Sequence, residues 1–176
     1  MIKGGKGGHL TKSGLKFESR VDLKSLFVKL KCYSVKGNEL FFKDQLVAQM
    51  YQKHDFYKHF LSNLNVDWKK KISKKLLPDD SIFIISKKTI FIVEVKFQKV
   101  NGSVDQDLQT CRFKKQQYVK LLNESEIDVE YVYILSNDFK KLRYKDILKY
   151  IHEVGCYYFF EQIPLNFFGL PVHSNG

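Results

Sequence analysis

The eight residues Thr89–Lys96, Thr-Ile-Phe-Ile-Val-Glu-Val-Lys, constrain this chain more than any other stretch. Apart from Glu94 and Lys96 they are β-branched or aromatic, the composition of a strand buried on both faces. The carboxylate and the ammonium group stand two residues apart, and side chains alternate across a strand, so both leave by the same face. Taking either charge out of water is costly unless it is paired or holds a metal. The run therefore predicts a central strand with a polar site built on it. A second apolar run, Val129–Leu135, follows after a helical stretch. A strand, a helix and a strand in that order predict a crossover, with the second strand parallel to the first.

Ser81–Ile85 is also rich in β-branched and aromatic residues, and Ser86-Lys87-Lys88 separates it from Thr89. That pattern predicts a β-hairpin. Elsewhere, Leu15, Leu26 and Leu30 recur at helical spacing and predict a helix over 15–31, with Ser13 as its N-cap. Asn38–Phe42 predicts a short strand after a Lys36-Gly37-Asn38 turn. Residues 44–63, Val104–Leu122 and Leu142–Glu153 predict helices, and Gly155 ends the last of them. Cys156–Phe160 predicts a final strand, and the tail from Ile163 to Gly176, with Pro164, Gly169 and Pro171, reads as irregular. The expectation is one α/β domain over residues 1–176, a mixed sheet flanked by helices, preceded by a Gly/Lys-rich segment (1–14).

A chain of 176 residues with 44% hydrophobic content can bury a sizeable core, which excludes global disorder. No apolar run reaches membrane-spanning length and no leader of secretory type opens the sequence, so a cytoplasmic protein without a membrane partner is expected. Cys32, Cys111 and Cys156 lie far apart and form no metal-binding pair, consistent with reduced thiols. His9, His54, His59, His152 and His173 are scattered and suggest no zinc site. The net charge of +11 favours a polyanionic partner.

The chemistry gathers around the hairpin. Antiparallel pairing across Ser86–Lys88 brings residues near 79–81 opposite residues near 93–95, so an acid of Pro78-Asp79-Asp80 approaches Glu94. Asp79, directly after Pro78, is favoured over Asp80, which alternation sends to the other face. Two carboxylates at this spacing suit Mg²⁺, which takes one or two carboxylates, waters and phosphate oxygens. Phosphodiester hydrolysis needs such a cation to neutralise transition-state charge and activate water. Lys96 can contact the scissile phosphate or polarise the attacking water, and the Val95 carbonyl is a further ligand candidate. Glu18 points along the apolar stripe of the first predicted helix and is a candidate third acid. The bland alternative is a structural Glu94–Lys96 ion pair on a half-exposed strand. A basic run, Lys69, Lys70, Lys71, Lys74 and Lys75, lies just upstream of Pro78. Lys6 and Lys12, among the glycines of the first segment, suit phosphate contact.

Pro78-Asp79 with Glu94-Val95-Lys96, each preceded by hydrophobic residues, resembles the motif of the PD-(D/E)XK nuclease superfamily. More of the chain is similar to its type II restriction endonuclease branch. The similar stretches are Gly4–Gly8 through Thr11, Gly14, Leu15, Phe17 and Glu18, then Glu94–Gln98 into Asn101–Asp105 and Leu108–Tyr118. The resemblance implies a restriction-endonuclease-like αβββαβ core, with Asp79, Glu94 and Lys96 as catalytic residues and Glu18 as an auxiliary acid. It implies Mg²⁺ as cofactor, with Mn²⁺ able to substitute, and Gln109 and Gln117 on the substrate side; Gln98 and Lys99, with Arg143 and Asn166, are separate candidates for reading base edges. It further implies site-specific cleavage of double-stranded DNA by a homodimer, beside a companion methyltransferase acting on the same site. A structure-specific nuclease of junction-resolvase or repair type, and a non-catalytic basic DNA-binding protein, are the competing readings.

Overall fold

The computed structural model describes residues 14–17, 22–97 and 104–172. Its centre is a mixed sheet of seven strands in the order β2-β3-β4-β5-β6-β7-β8: Tyr33–Lys36, Glu39–Phe42, Gln45–Tyr51, Asp80–Ile84, Thr89–Lys96, Asp128–Leu135 and Tyr157–Phe160. Pairing is antiparallel from β2 to β6 and parallel from β6 through β7 to β8. A separate two-stranded ribbon joins β1 (Gly14–Lys16) to β9 (Gln162–Pro164).

Alternation along the central strands divides the core into two layers. Ile90 and Ile92 of β6, with Tyr131 and Tyr133 of β7, face helix α2 (Lys53–Asp55) and its π-helical continuation Phe56–Leu61, helix α4 (Cys111–Leu122) and helix α5 (Lys145–Glu153). Phe91, Val93 and Val95 of β6, with Val132 and Ile134 of β7, face the short helices α1 (Leu23–Phe27) and α6 (Leu165–Phe168) and the β1–β9 ribbon. The expected mixed sheet flanked by helices is present, and so are the β5–β6 hairpin and the parallel β7 reached by a crossover.

Several boundaries differ from the pattern-based expectation. The single helix expected over 15–31 is a strand, β1, followed by the five-residue α1, which Asp22 rather than Ser13 caps by accepting from the Ser25 amide. Leu15 belongs to β1 because it pairs with Ile163 in the tail expected to be irregular, and both are fully buried. Residues 44–63 are half strand and half helix. In β4, Ala48 and Met50 alternate into the core, and only from Lys53 does the chain turn helical. The turn that makes this possible, Lys43-Asp44, takes the left-handed conformation at two non-glycine residues (φ 48° and 64°), the geometry of a two-residue hairpin turn. The helix expected over 104–122 is broken into α3 (Val104–Leu108) and α4 by a turn at Gln109-Thr110.

Asp80 opens β5 opposite Val93 and is 3% exposed. Its carboxylate accepts from the Leu23 amide at 3.2 Å and from the Gln52 side chain at 2.9 Å, so it joins α1 and the end of β4 to β5. Burial pushes its pKa up to about 7; the two hydrogen bonds pull it down, and the charges of Asp22 and Asp79 add to the rise. The folded chain thus keeps a proton that the unfolded chain releases near pH 4. For this group stability is greatest below about pH 4 and is lost as the pH rises to about 7, by a few kcal/mol. Asp80→Asn keeps an acceptor for Leu23 and, with Gln52 turned over, a donor to its amide oxygen. Denaturant titrations from pH 4 to 8 should show a shallower decline for Asp80→Asn than for the native chain; parallel curves would disprove the assignment.

Candidate functional site

The register of the hairpin builds the site. Asp80 pairs with Val93, so one step further, just before β5, Asp79 stands opposite Glu94. Pro78 is buried and its carbonyl accepts from the Lys53 amide at 2.9 Å, which fixes the chain entering this point. The Asp79 carboxylate accepts from the Val95 amide at 3.0 Å. Asp79, not Asp80, therefore shares a face with Glu94, while Asp80 is committed to α1 and Gln52.

Glu94 is 8% exposed beneath α4, with Tyr133 beside it on β7. Burial raises its pKa and the Asp79 charge raises it further, against the pull of Lys96 and, at longer range, Lys114. Lys96 Nζ lies 3.4 Å from Glu94 Oε2 and 2.8 Å from Asp107 Oδ2. Burial alone would lower the Lys96 pKa, but hydrogen bonding to Asp107 and the charges of Glu94, Asp107 and Asp79 raise it. The other Asp107 oxygen is 2.5 Å from Lys114 Nζ, on α4. Burial would raise the Asp107 pKa; Lys114 and Lys96 outweigh it and hold the carboxyl below its ordinary range. Under these charges lie Tyr118, Tyr131 and Tyr133, whose hydroxyls burial and the neighbouring carboxylates push well up.

Asp107 and Lys114 escaped the sequence reading. Asp107 sits in a stretch read as one uniform helix, whereas it lies on the short α3, before the turn at Gln109-Thr110. The one available signal was Lys114, four residues before the core-facing Tyr118 and so on the same helix face. Gln109 lies in the turn after α3 and lines an open cleft with Arg143, Tyr144, Asp146, Ile147 and Tyr150. Gln117 lies on α4, less than one turn after Lys114. Lys6, Lys12, Glu18, Gln98 and Lys99 lie outside the described residues. In the basic run, Lys71 pairs with Glu124 at 2.8 Å and Lys75 sits over the rings of Trp68 and Tyr57, so both have structural work, whereas Lys69, Lys70 and Lys74 are exposed.

Among the described residues no three His, Cys, Asp or Glu side chains gather at one point. Asp79 and Glu94 with the Val95 carbonyl nevertheless fit a hard cation that keeps several waters. Two carboxylates face each other across the strands, and the like charge already strains Glu94. A residue in an extended strand sends its amide and carbonyl out by the same edge, and the Val95 amide points to Asp79. Asp107, held by two lysines, is not free to join them. No family model, curated protein or solved structure matches this chain. No described helix is long and apolar enough to cross a membrane.

Relief of the Asp79–Glu94 repulsion is measurable. Mg²⁺ at about 100 times its Kd should stabilise the native protein by about 2.7 kcal/mol, a rise in Tm of roughly 5–10 °C for a chain of this size. Asp79→Asn should lose most of that rise in a thermal-shift experiment. Equal shifts in both proteins would place the cation elsewhere.

Proposed function

We propose that this protein is a divalent-metal-dependent endonuclease of the type II restriction class, hydrolysing phosphodiester bonds at a specific site in double-stranded DNA. The observation that carries this reading is the meeting of Asp79, Glu94 and Lys96 at one point of the β5–β6 hairpin. The three are the residues of the nuclease motif that the sequence resembles. The antiparallel β4-β5-β6 unit, the crossover through α3 and α4, and the parallel β7 accommodate the αβββαβ core that this resemblance implies. The excess of positive charge, +11, favours a polyanionic substrate.

In this reading Asp79, Glu94 and the Val95 carbonyl hold Mg²⁺, or Mn²⁺ in its place. When bound, the cation neutralises charge on the phosphorane-like transition state and lowers the pKa of coordinated water. Lys96 contributes a fixed positive charge beside Glu94, directed at the scissile phosphate and at the water that attacks it. Tyr118, Tyr131 and Tyr133 close the floor of the site and keep bulk water from the buried side of Glu94, which strengthens each charge–charge interaction above them. A site of two-fold symmetry in DNA calls for a two-fold symmetric protein, hence a homodimer. A companion methyltransferase would protect the host's copies of the same site.

Purified protein with Mg²⁺ should cut a mixed-sequence plasmid into discrete fragments, and a chelator should stop it. Asp79→Asn and Lys96→Ala should each slow cutting by roughly 100-fold or more. Absence of cutting by the native protein, or undiminished cutting by either variant, would remove the assignment. Cutting confined to branched DNA would point to the structure-specific class instead.

A further inference from the structure

The Asp79–Glu94–Lys96 set accounts for one side of Lys96 only. Its shorter contact is with Asp107, at 2.8 Å against 3.4 Å to Glu94. Asp107 is itself immobilised. Its main-chain carbonyl accepts from the Tyr133 hydroxyl at 3.2 Å, the Thr110 hydroxyl at 2.6 Å and the Thr110 amide at 3.1 Å. Its second carboxylate oxygen is occupied by Lys114 at 2.5 Å. A carboxylate pinned through both main chain and side chain is a fixed anchor, whereas a lysine stem is long and flexible. The cluster also has a definite charge. Asp79, Glu94 and Asp107 against Lys96 and Lys114 leave one net negative charge, which a divalent cation and one phosphodiester would bring to zero.

We infer that Asp107 is a positioning residue for Lys96: it holds the ammonium group in the long, 3.4 Å contact with Glu94 and keeps it from closing further onto that carboxylate. Without Asp107, Lys96 has Glu94 as its nearest carboxylate partner and closes onto the Oε2 that it touches at 3.4 Å, in competition with a cation. Lys114 fills the remaining oxygen of Asp107, so that Asp107 neither joins the metal-binding pair nor draws Lys96 away from the site. The inference concerns the ammonium group and its anchor; its consequence for catalysis rests on the endonuclease reading above.

Lysine-selective ¹H–¹⁵N spectra of the whole, metal-free protein test the anchor directly. A fixed, doubly paired ammonium exchanges its protons slowly and gives a resolved signal, assigned by its disappearance in Lys96→Met. Asp107→Asn, nearly isosteric and retaining the main-chain bonds, should move the Lys96 signal, as the ammonium group exchanges the lost carboxylate for a closer contact with Glu94. A Lys96 signal that stays in its native position in Asp107→Asn, or that disappears there, would overturn the inference. A second arm reads DNA cleavage. Asp107→Asn should lower kcat about tenfold at unchanged KM, Asp107→Glu should recover part of the loss, and Asp107→Asn in a Lys96→Met background should add nothing. Multiplicative losses in the double variant would show that Asp107 acts independently of Lys96, against the inference. If the native protein cuts no DNA, the endonuclease reading fails, and the ammonium spectra still decide whether Asp107 holds Lys96.

Discussion

Everything around the candidate site depends on the one-to-one register between β5 and β6. A sheet has a side-chain period of two, so a slip of one residue would carry Asp79 to the far face and bring Asp80 to Glu94. Two independent contacts prevent that slip. On one face Asp80 is tied to the Leu23 amide and to Gln52, and on the other Asp79 takes the Val95 amide. Adjacent carboxylates thus do opposite jobs. One is buried in a structural node with a raised pKa, and the other is left facing the charged cluster.

The central strands were legible because their information is local. Thr89–Lys96 and Val129–Leu135 are too apolar and too β-branched for anything but buried strands, and the crossover between them left only a parallel pairing. From that register the meeting of Asp79, Glu94 and Lys96 followed. What was not legible came from partners distant in sequence. Leu15 has helical spacing to later leucines, yet Ile163 pairs with it and makes it a strand residue. The Lys43-Asp44 turn holds two left-handed residues without a glycine to announce them, so the β3–β4 hairpin resembled the start of a helix. Asp107 was hidden for a similar reason: its partner Lys96 belongs to a different element, β6.

The charged cluster differs from an ordinary surface ion-pair network. Lys96 and Lys114 have about a fifth of their side-chain surface exposed, and Asp107 about a third. Partial burial makes each pairing stronger than at the surface and makes each missing partner more costly. The tyrosines beneath deepen that effect by excluding water from one side.

The β1–β9 ribbon has a consequence for how the chain is made. Gly14–Lys16 leaves the ribosome long before Gln162–Pro164, its strand partner among the described residues. The β2–β4 meander and the β5–β6 hairpin can close as they emerge, whereas β1 must wait with Leu15 uncovered and its edge unpaired. During that interval the nascent protein carries an apolar, strand-competent segment with nothing to shield it, the condition under which growing chains pair wrongly or engage chaperones.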